Sequence, residues 1–414
     1  MKRILIAWVL LFAVVLGLTG CGRVEENMLS TAPTTSENEV ALELLSAMIR
    51  QSVEEKAADE NLSAATGNFA LSLLQSTYAV GENTVLSPYS LYLALAMTAN
   101  GAKGQTLTQI ESLLGMSAAE VNPYILSLQN SAGSQLSEAN SIWVNHDLTV
   151  EENFLQTLKN YYQIQAYTAD FDGSTLEAMN NWILEQTDGR IPQALDQMDP
   201  NAMLYLINAL TFDGNWETPY TTADISNQIF CSTEGEKTVE MMGSTEHFYL
   251  HDDRATGFMK DYEGGQSSFF ALLPNEGISL GDYVSGLNGD ALLHTIEGAE
   301  SASVIATMPK LSLETTVEMK DILMNMGMTD AFTMDADFSG INGQQDLYIH
   351  RILHKTYLQV DETGTRAGAV TIEEFAYKGI PMGMHFVFLN RPYLMGIYDK
   401  TNHTFLFLGT VENP

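Results

Sequence analysis

The run Leu204-Tyr-Leu-Ile-Asn-Ala-Leu-Thr-Phe212 constrains the fold more than any other stretch of the chain. It is apolar at almost every position, which reads as a central strand buried on both faces of a sheet. Such a strand needs neighbours. They are expected at Ser268 to Leu273, Ser303 to Leu313, Tyr348 to Val360, and His385 to Val411 with a turn at Thr401-Asn402. The first half is helical in pattern. Apolar positions Val40, Leu42, Leu44, Leu45, Met48, Ile49 and Val53 predict a helix within 37–58, and Phe69, Leu71, Leu73 and Leu74 a second over 64–78. Ser87 before Pro88 supplies a capping hydroxyl and a residue suited to the first helical turn, so a buried helix follows to Ala99. Further helices are expected at 106–114, 151–162, 174–187 and 317–326. Helices early and antiparallel strands late indicate an α+β fold without alternating βαβ units.

The N-terminus settles the expected compartment. Lys2 and Arg3 precede an apolar run from Ile4 to Leu18 that is too short for a relaxed membrane span, so residues 1–20 read as a signal peptide. The closing Leu18-Thr19-Gly20-Cys21 resembles the bacterial lipobox, which implies lipidation of Cys21 and a mature chain held on the extracellular face of the cell membrane. If that signal is not used, the protein is secreted. Residues 21–60 are expected to be a polar tether and a helical extension, and 61–414 one domain with no internal linker or repeat. With Cys21 lipidated, Cys231 has no disulfide partner, so stability must come from a packed core. The formal net charge of −33, made more negative by loss of Lys2 and Arg3, excludes nucleic acid as a natural partner.

The segment after Val360 carries the functional signal. A strand of β-branched and aromatic residues ends in Asp361-Glu362-Thr363-Gly364 and continues as Thr365-Arg-Ala-Gly-Ala-Val-Thr371. This stretch resembles the hinge of the serpin family, in which a Glu-rich turn and a glycine precede a run of small residues. Other stretches resemble the same family in the same order: Asn83-Thr-Val-Leu-Ser-Pro-Tyr-Ser-Leu91 with Gly101-Ala-Lys-Gly104, Thr187-Asp-Gly-Arg-Ile191, and Asn208-Ala-Leu-Thr-Phe-Asp-Gly-Asn-Trp216. Met308-Pro-Lys-Leu311, Asp337-Phe-Ser-Gly-Ile341, Asn390-Arg-Pro-Tyr393 and the closing Phe407 to Pro414 complete the set.

The resemblance implies a serpin fold with mixed and antiparallel sheets, about eight or nine helices and an exposed reactive loop. It also implies a single-use inhibitor of serine, or cysteine, endopeptidases that traps the acyl-enzyme by inserting its cleaved loop into the main sheet. In the hinge, Glu362, Gly364, Thr365, Ala367, Ala369 and Thr371 matter because side chains alternate with period two, and the inserting face reads Thr365, Ala367, Ala369, Thr371. Two residues depart from the pattern: Arg366, expected to face solvent, and Glu373, which lies on the inserting face. Counting from the hinge places the reactive bond at Lys378-Gly379 and favours a trypsin-like protease. Counting back from Asn390 points nearer Pro381-Met382; Tyr377 would suit a chymotrypsin-like enzyme, and Phe375 or Met382 a broader one. By resemblance, Ser87, Ser90, Asn208 and His354 form the cluster where the central strands part.

Enzyme readings have little to stand on, because the chain has no GxSxG, P-loop, GxGxxG or CxxC motif. His247/His251 and His350/His354 are spaced by four but lie in apparent strands, where that spacing spans about 13 Å. The Asp335 to Asp346 stretch mimics a calcium loop with Phe338 misplaced, so neither metal nor cofactor is expected. Cys231, beside Ile229 and Phe230, reads as a core or half-buried thiol. The rival function is a serpin-fold surface binding protein that does not inhibit. Either form is expected to be a monomer.

Overall fold

The structure is a computed structural model, and it describes residues 42–45, 48–131, 133, 135–187, 189, 195–199, 202–365 and 384–414. Its helices are α1 (Glu60–Thr77), α2 (Pro88–Ala99), α3 (Gly104–Leu114), α4 (Ala118–Ser131), α5 (Glu152–Tyr161) and α6 (Gly173–Gln186), then α7 (Leu280–Ser285), α8 (Gly289–Glu297), α9 (Lys320–Asn325) and α10 (Ser339–Asn342). The strands of the first half are β1 (Leu42–Glu43), β2 (Thr84–Leu86), β3 (Leu136–Asn145), β4 (Gln165–Ala169), β5 (Leu204–Phe212) and β6 (Gly214–Asn215). Those of the second are β7 (Ile225–Ser232), β8 (Gly235–His251), β9 (Ala255–Asp261), β10 (Ser267–Pro274), β11 (Glu300–Pro309), β12 (Leu311–Glu318), β13 (Leu353–Val360), β14 (Gly364–Thr365), β15 (Met384–Phe388), β16 (Tyr393–Asp399) and β17 (Thr404–Val411). The α+β class stands as expected, with ten α-helices among the described residues where eight or nine were expected.

Two sheet systems share the helices. Nine strands form one sheet, β15-β11-β8-β9-β10-β16-β17-β2 with β7 on β8, and it is antiparallel except where β11 meets β15. The other system is divided. β1, β4, β3 and β5 form one part, β12 and β13 another, and the short pair β14·β6 a third. Among the described residues no backbone ladder joins β5 to β13. The buried N-terminal turn of α2 lies under both strands, because Ser87 caps the helix through the Ser90 amide and Pro88 opens it.

Several boundaries differ from expectation for identifiable reasons. The helix expected within 37–58 is absent from the described residues there. Instead β1 adds to the edge of β4, with Leu42 opposite Thr168, and Leu45 is buried. Lys159 on α5 donates its ammonium to the carbonyls of Leu45 and Met48, so tertiary contacts set this backbone and local periodicity does not. The strand read over Ser303 to Leu313 is two strands split at Lys310. The one read from Tyr348 begins at Leu353, and the helix read from 317 begins at Lys320 because Val317 and Glu318 still pair with β13. Cys231 is exposed, not buried, because β7 pairs on one side only and Phe230 alone turns inward.

Candidate functional site

At one end of the divided system, Asp361 folds the chain back on itself. Its carboxylate accepts from the Thr363 amide at 2.9 Å, the Thr363 hydroxyl at 2.7 Å and the Gly364 amide at 3.3 Å. Its own amide donates to the Gly364 carbonyl at 3.0 Å, which closes the turn. Glu362 reaches Lys310 at 3.0 Å; a backbone hydrogen bond and this ammonium hold its carboxyl below the usual carboxylate range.

The turn delivers β14 against β6, antiparallel, with Gly364 opposite Asn215 and Thr365 opposite Gly214. Only glycine fits at 364, because a Cβ there would come within 2.1 Å of the Gly214 carbonyl oxygen. Thr365 is 3% exposed, and its hydroxyl meets the Tyr262 hydroxyl at 2.6 Å. Tyr262 stacks on Trp216 with centroids 4.6 Å apart and packs edge-on against Phe212. Three donors from the strand side grip the turn: the Trp216 amide to Thr363 O at 2.9 Å, the Trp216 indole to Asp361 O at 2.9 Å, and the Tyr220 amide to Glu362 O at 2.8 Å. The start of the loop is thus seated as a strand.

Beneath the open seam, one hydrogen-bonded network contains all four expected cluster residues. The Ser87 amide donates to His354 Nε2 at 3.1 Å, and Thr356 Oγ1 lies 3.0 Å from the same nitrogen. The Ser87 hydroxyl donates to Leu406 O at 2.8 Å and also accepts from the Ser90 amide. The Ser90 hydroxyl donates to Asn208 Oδ1, and Asn208 Nδ2 donates to Asn140 Oδ1 at 2.6 Å. Asn140 continues to half-buried Glu138, which Tyr89 and Gln129 also reach. Burial pushes the His354 imidazole down to about 4 and raises the Glu138 carboxyl. The neutral imidazole bridges β13 to α2, and Ser90 bridges α2 to β5.

At the far end of the loop, β15 lies parallel on β11, from Met384 opposite Ser303 to Phe388 opposite Thr307. Ala367, Ala369, Thr371, Glu373, Lys378 and Gly379 lie outside the described residues, as do Arg366, the signal peptide and Cys21. The paired histidines have separate partners: His251 meets Glu300 at 3.1 Å, His350 meets Asp199 at 3.2 Å, and His354 serves Ser87. Sequence reading missed Tyr220, Tyr262 and the role of Lys310. Lys310 had a signal in Met308-Pro-Lys-Leu311; the tyrosines had none, because β-pairing alone brings them to the turn.

Comparison with known proteins agrees with this geometry. The family model described as Serpin (serine protease inhibitor) matches residues 64–414. Alpha-1-antiproteinase of Bos taurus is 30% identical over 378 residues, covering 87% of this chain and 90% of the relative. The native-state crystal structure of tengpin, a thermophilic serpin, is 38% identical with a TM-score of 0.85, covering 90% of this chain and all of that one. Human thyroxine-binding globulin complexed with thyroxine is 25% identical with a TM-score of 0.76, covering 85% of this chain and 98% of the other.

Proposed function

The chain belongs to the serpin family, and on that premise we propose that it is a suicide inhibitor of serine endopeptidases that captures its target by inserting its own cleaved loop between β5 and β13. Members of this family are in general protease inhibitors and not enzymes. The observation that carries the reading is the rung formed by β14 on β6 at the head of an unzipped seam. Continued in the same register, the small residues Ala367 and Ala369 come opposite Phe212 and Leu210, and Thr371 comes opposite Asn208. In that register each would face the polar or apolar floor, where a large side chain would be an obstruction. Insertion of a peptide strand satisfies the unpaired backbone groups along both edges, which is β-augmentation within one molecule.

The proposed bait bond is Lys378-Gly379, suited to a trypsin-like pocket, and Cys21 is the proposed lipid anchor to the outer membrane face. Incubation with trypsin-, chymotrypsin- and elastase-type proteases tests the mechanism. A covalent complex stable on a denaturing gel, with cleavage after Lys378, is the expected result. A cut loop without any complex would leave the second reading, a non-inhibitory binding module, which the likeness to the thyroxine carrier favours. For the anchor, a Cys21→Ser variant is expected to leave the membrane fraction.

A further inference from the structure

Lys260 is the only buried lysine or arginine among the described residues, at 3% exposure. It sits on β9, inside the aromatic cluster that holds the hinge. Its ammonium meets Glu246 of β8 at 3.0 Å and donates to the Thr218 carbonyl at 3.0 Å. It also lies over the Tyr220 ring at 4.5 Å and the Trp216 ring at 5.4 Å. Glu246 is 6% exposed and accepts in addition from the Ser244 hydroxyl at 2.5 Å. A desolvated ion pair adds little net stability over a well-packed apolar pair, so its value lies elsewhere, in fixing one arrangement of what surrounds it.

What surrounds it is the segment 214–220. This segment supplies β6, the strand partner of Thr365, and the Trp216 and Tyr220 donors that grip the carbonyls of Asp361, Glu362 and Thr363. Lys260 touches the segment at three points, and every described contact of the turn with Trp216 or Tyr220 runs through a residue it touches. A cation over two ring faces fixes the rings in plane and position, and the Thr218 bond fixes the backbone between them.

We propose that the Glu246–Lys260 pair is a positioning device for the hinge. It keeps Trp216 and Tyr220 set so that Thr365 stays seated as the first inserted residue. Insertion then propagates from an existing rung and skips a costly nucleation step, in a race that ester hydrolysis would otherwise win. The functional half of this inference rests on the inhibitor reading; the structural half does not.

The test uses the full chain and a Glu246→Gln/Lys260→Met double variant, which removes both charges together and leaves no buried charge unpaired. Hydrogen exchange read by mass spectrometry is expected to lose about tenfold protection in 214–220 and 361–365, with β10 and β16 unchanged. The stoichiometry of inhibition is expected to rise by about twofold or more as more encounters end in hydrolysis. A uniform loss of protection would mean a merely structural pair and overturn the proposal, as would unchanged protection at the hinge. Local loss with unchanged stoichiometry would overturn the link to insertion. If the unmodified chain forms no complex, the inhibitor reading fails, and the exchange pattern alone decides whether the pair positions the turn. A Lys260→Met single variant, which strands Glu246, is expected to unfold at lower denaturant than the double.

Discussion

In the nine-stranded sheet every residue of β10, β16 and β17 is buried and each of these strands is paired on both sides, whereas β5 is half-buried over most of its length, β13 alternates buried with more open positions, and among the described residues the two lack a shared ladder. The floor differs as sharply. Phe269, Phe270, Leu408 and Ile397 fill the first sheet, while Ser87, Ser90, Asn140, Asn208 and His354 lie under the seam. A sheet completed with apolar packing has one low-energy arrangement. Polar side chains that bridge two strands through a helix terminus hold a seam whose backbone edges are still unsatisfied. The first sheet supplies stability; on the proposed mechanism the second keeps free energy available for a later strand.

The largest expected effect falls on the seam. Thr365→Arg would place a charge at a site that is 3% exposed and bounded by Tyr262, Trp216 and Phe212. Burying it unpaired costs several kcal/mol, on the order of that measured for broken buried pairs, about 3–5 kcal/mol. Insertion is expected to stall, so a stoichiometric titration should show the variant consumed as substrate with no stable complex. Retention of full inhibition would break the contrast drawn here. Phe270→Ala on β10 is the counterpart: it should lower the unfolding free energy by about 3–5 kcal/mol in a denaturant titration and leave the stoichiometry of inhibition unchanged. A change in stoichiometry would mean that the two sheets are not separable in function.

Acid sharpens the comparison further. Burial lowers His354 from 6.5 to about 4, so between those values the unfolded chain binds a proton that the folded one refuses. Stability from the neutral imidazole is present in full above about pH 6.5 and is lost as pH falls toward 4, by about 3 kcal/mol. The Nε2 that would take the proton accepts from the Ser87 amide, so the loss is felt where β13 meets α2. Glu138, in the same network, acts in the opposite sense, because burial raises its carboxyl and the cost of keeping it charged is relieved by acid. The difference between the native chain and a His354→Asn variant, in urea midpoints followed over that pH range, isolates the histidine. Identical slopes would show that another group governs the acid response.

How much of this could be read ahead of the structure follows from where each feature is encoded. The strand Leu204–Phe212 and the Ser87-Pro88 helix start are written in consecutive residues, and both stand as read. The turn at Asp361 is likewise written in consecutive residues, and its Asp361, Gly364 and Thr365 act on one another or on the nearest strand. The extension within 37–58 was misread because its contacts come from β4 and α5, over a hundred residues away, and override local spacing. Helix α4 carries Pro123, and β8 is crowded with charged and polar residues, so neither stood out. The Glu246–Lys260 pair is set by the register of β8 on β9, which composition and spacing do not encode.

The smallest expected effect is the most direct probe of how the seam is held. Asn208→Ala deletes the acceptor of Ser90 and the donor to Asn140, leaving two polar groups short of a partner under the central strand. The loss should be about 1–3 kcal/mol, less than the Phe270 cavity, because water can enter a half-buried seam and cannot enter the closed sheet. Its location distinguishes it from a general weakening. If the network holds the strands together, exchange of the β5 and β13 amides should accelerate while β10 and β16 stay protected. Equal acceleration in both sheets would mean that the polar floor stabilises the whole molecule and has no special hold on the place where it opens.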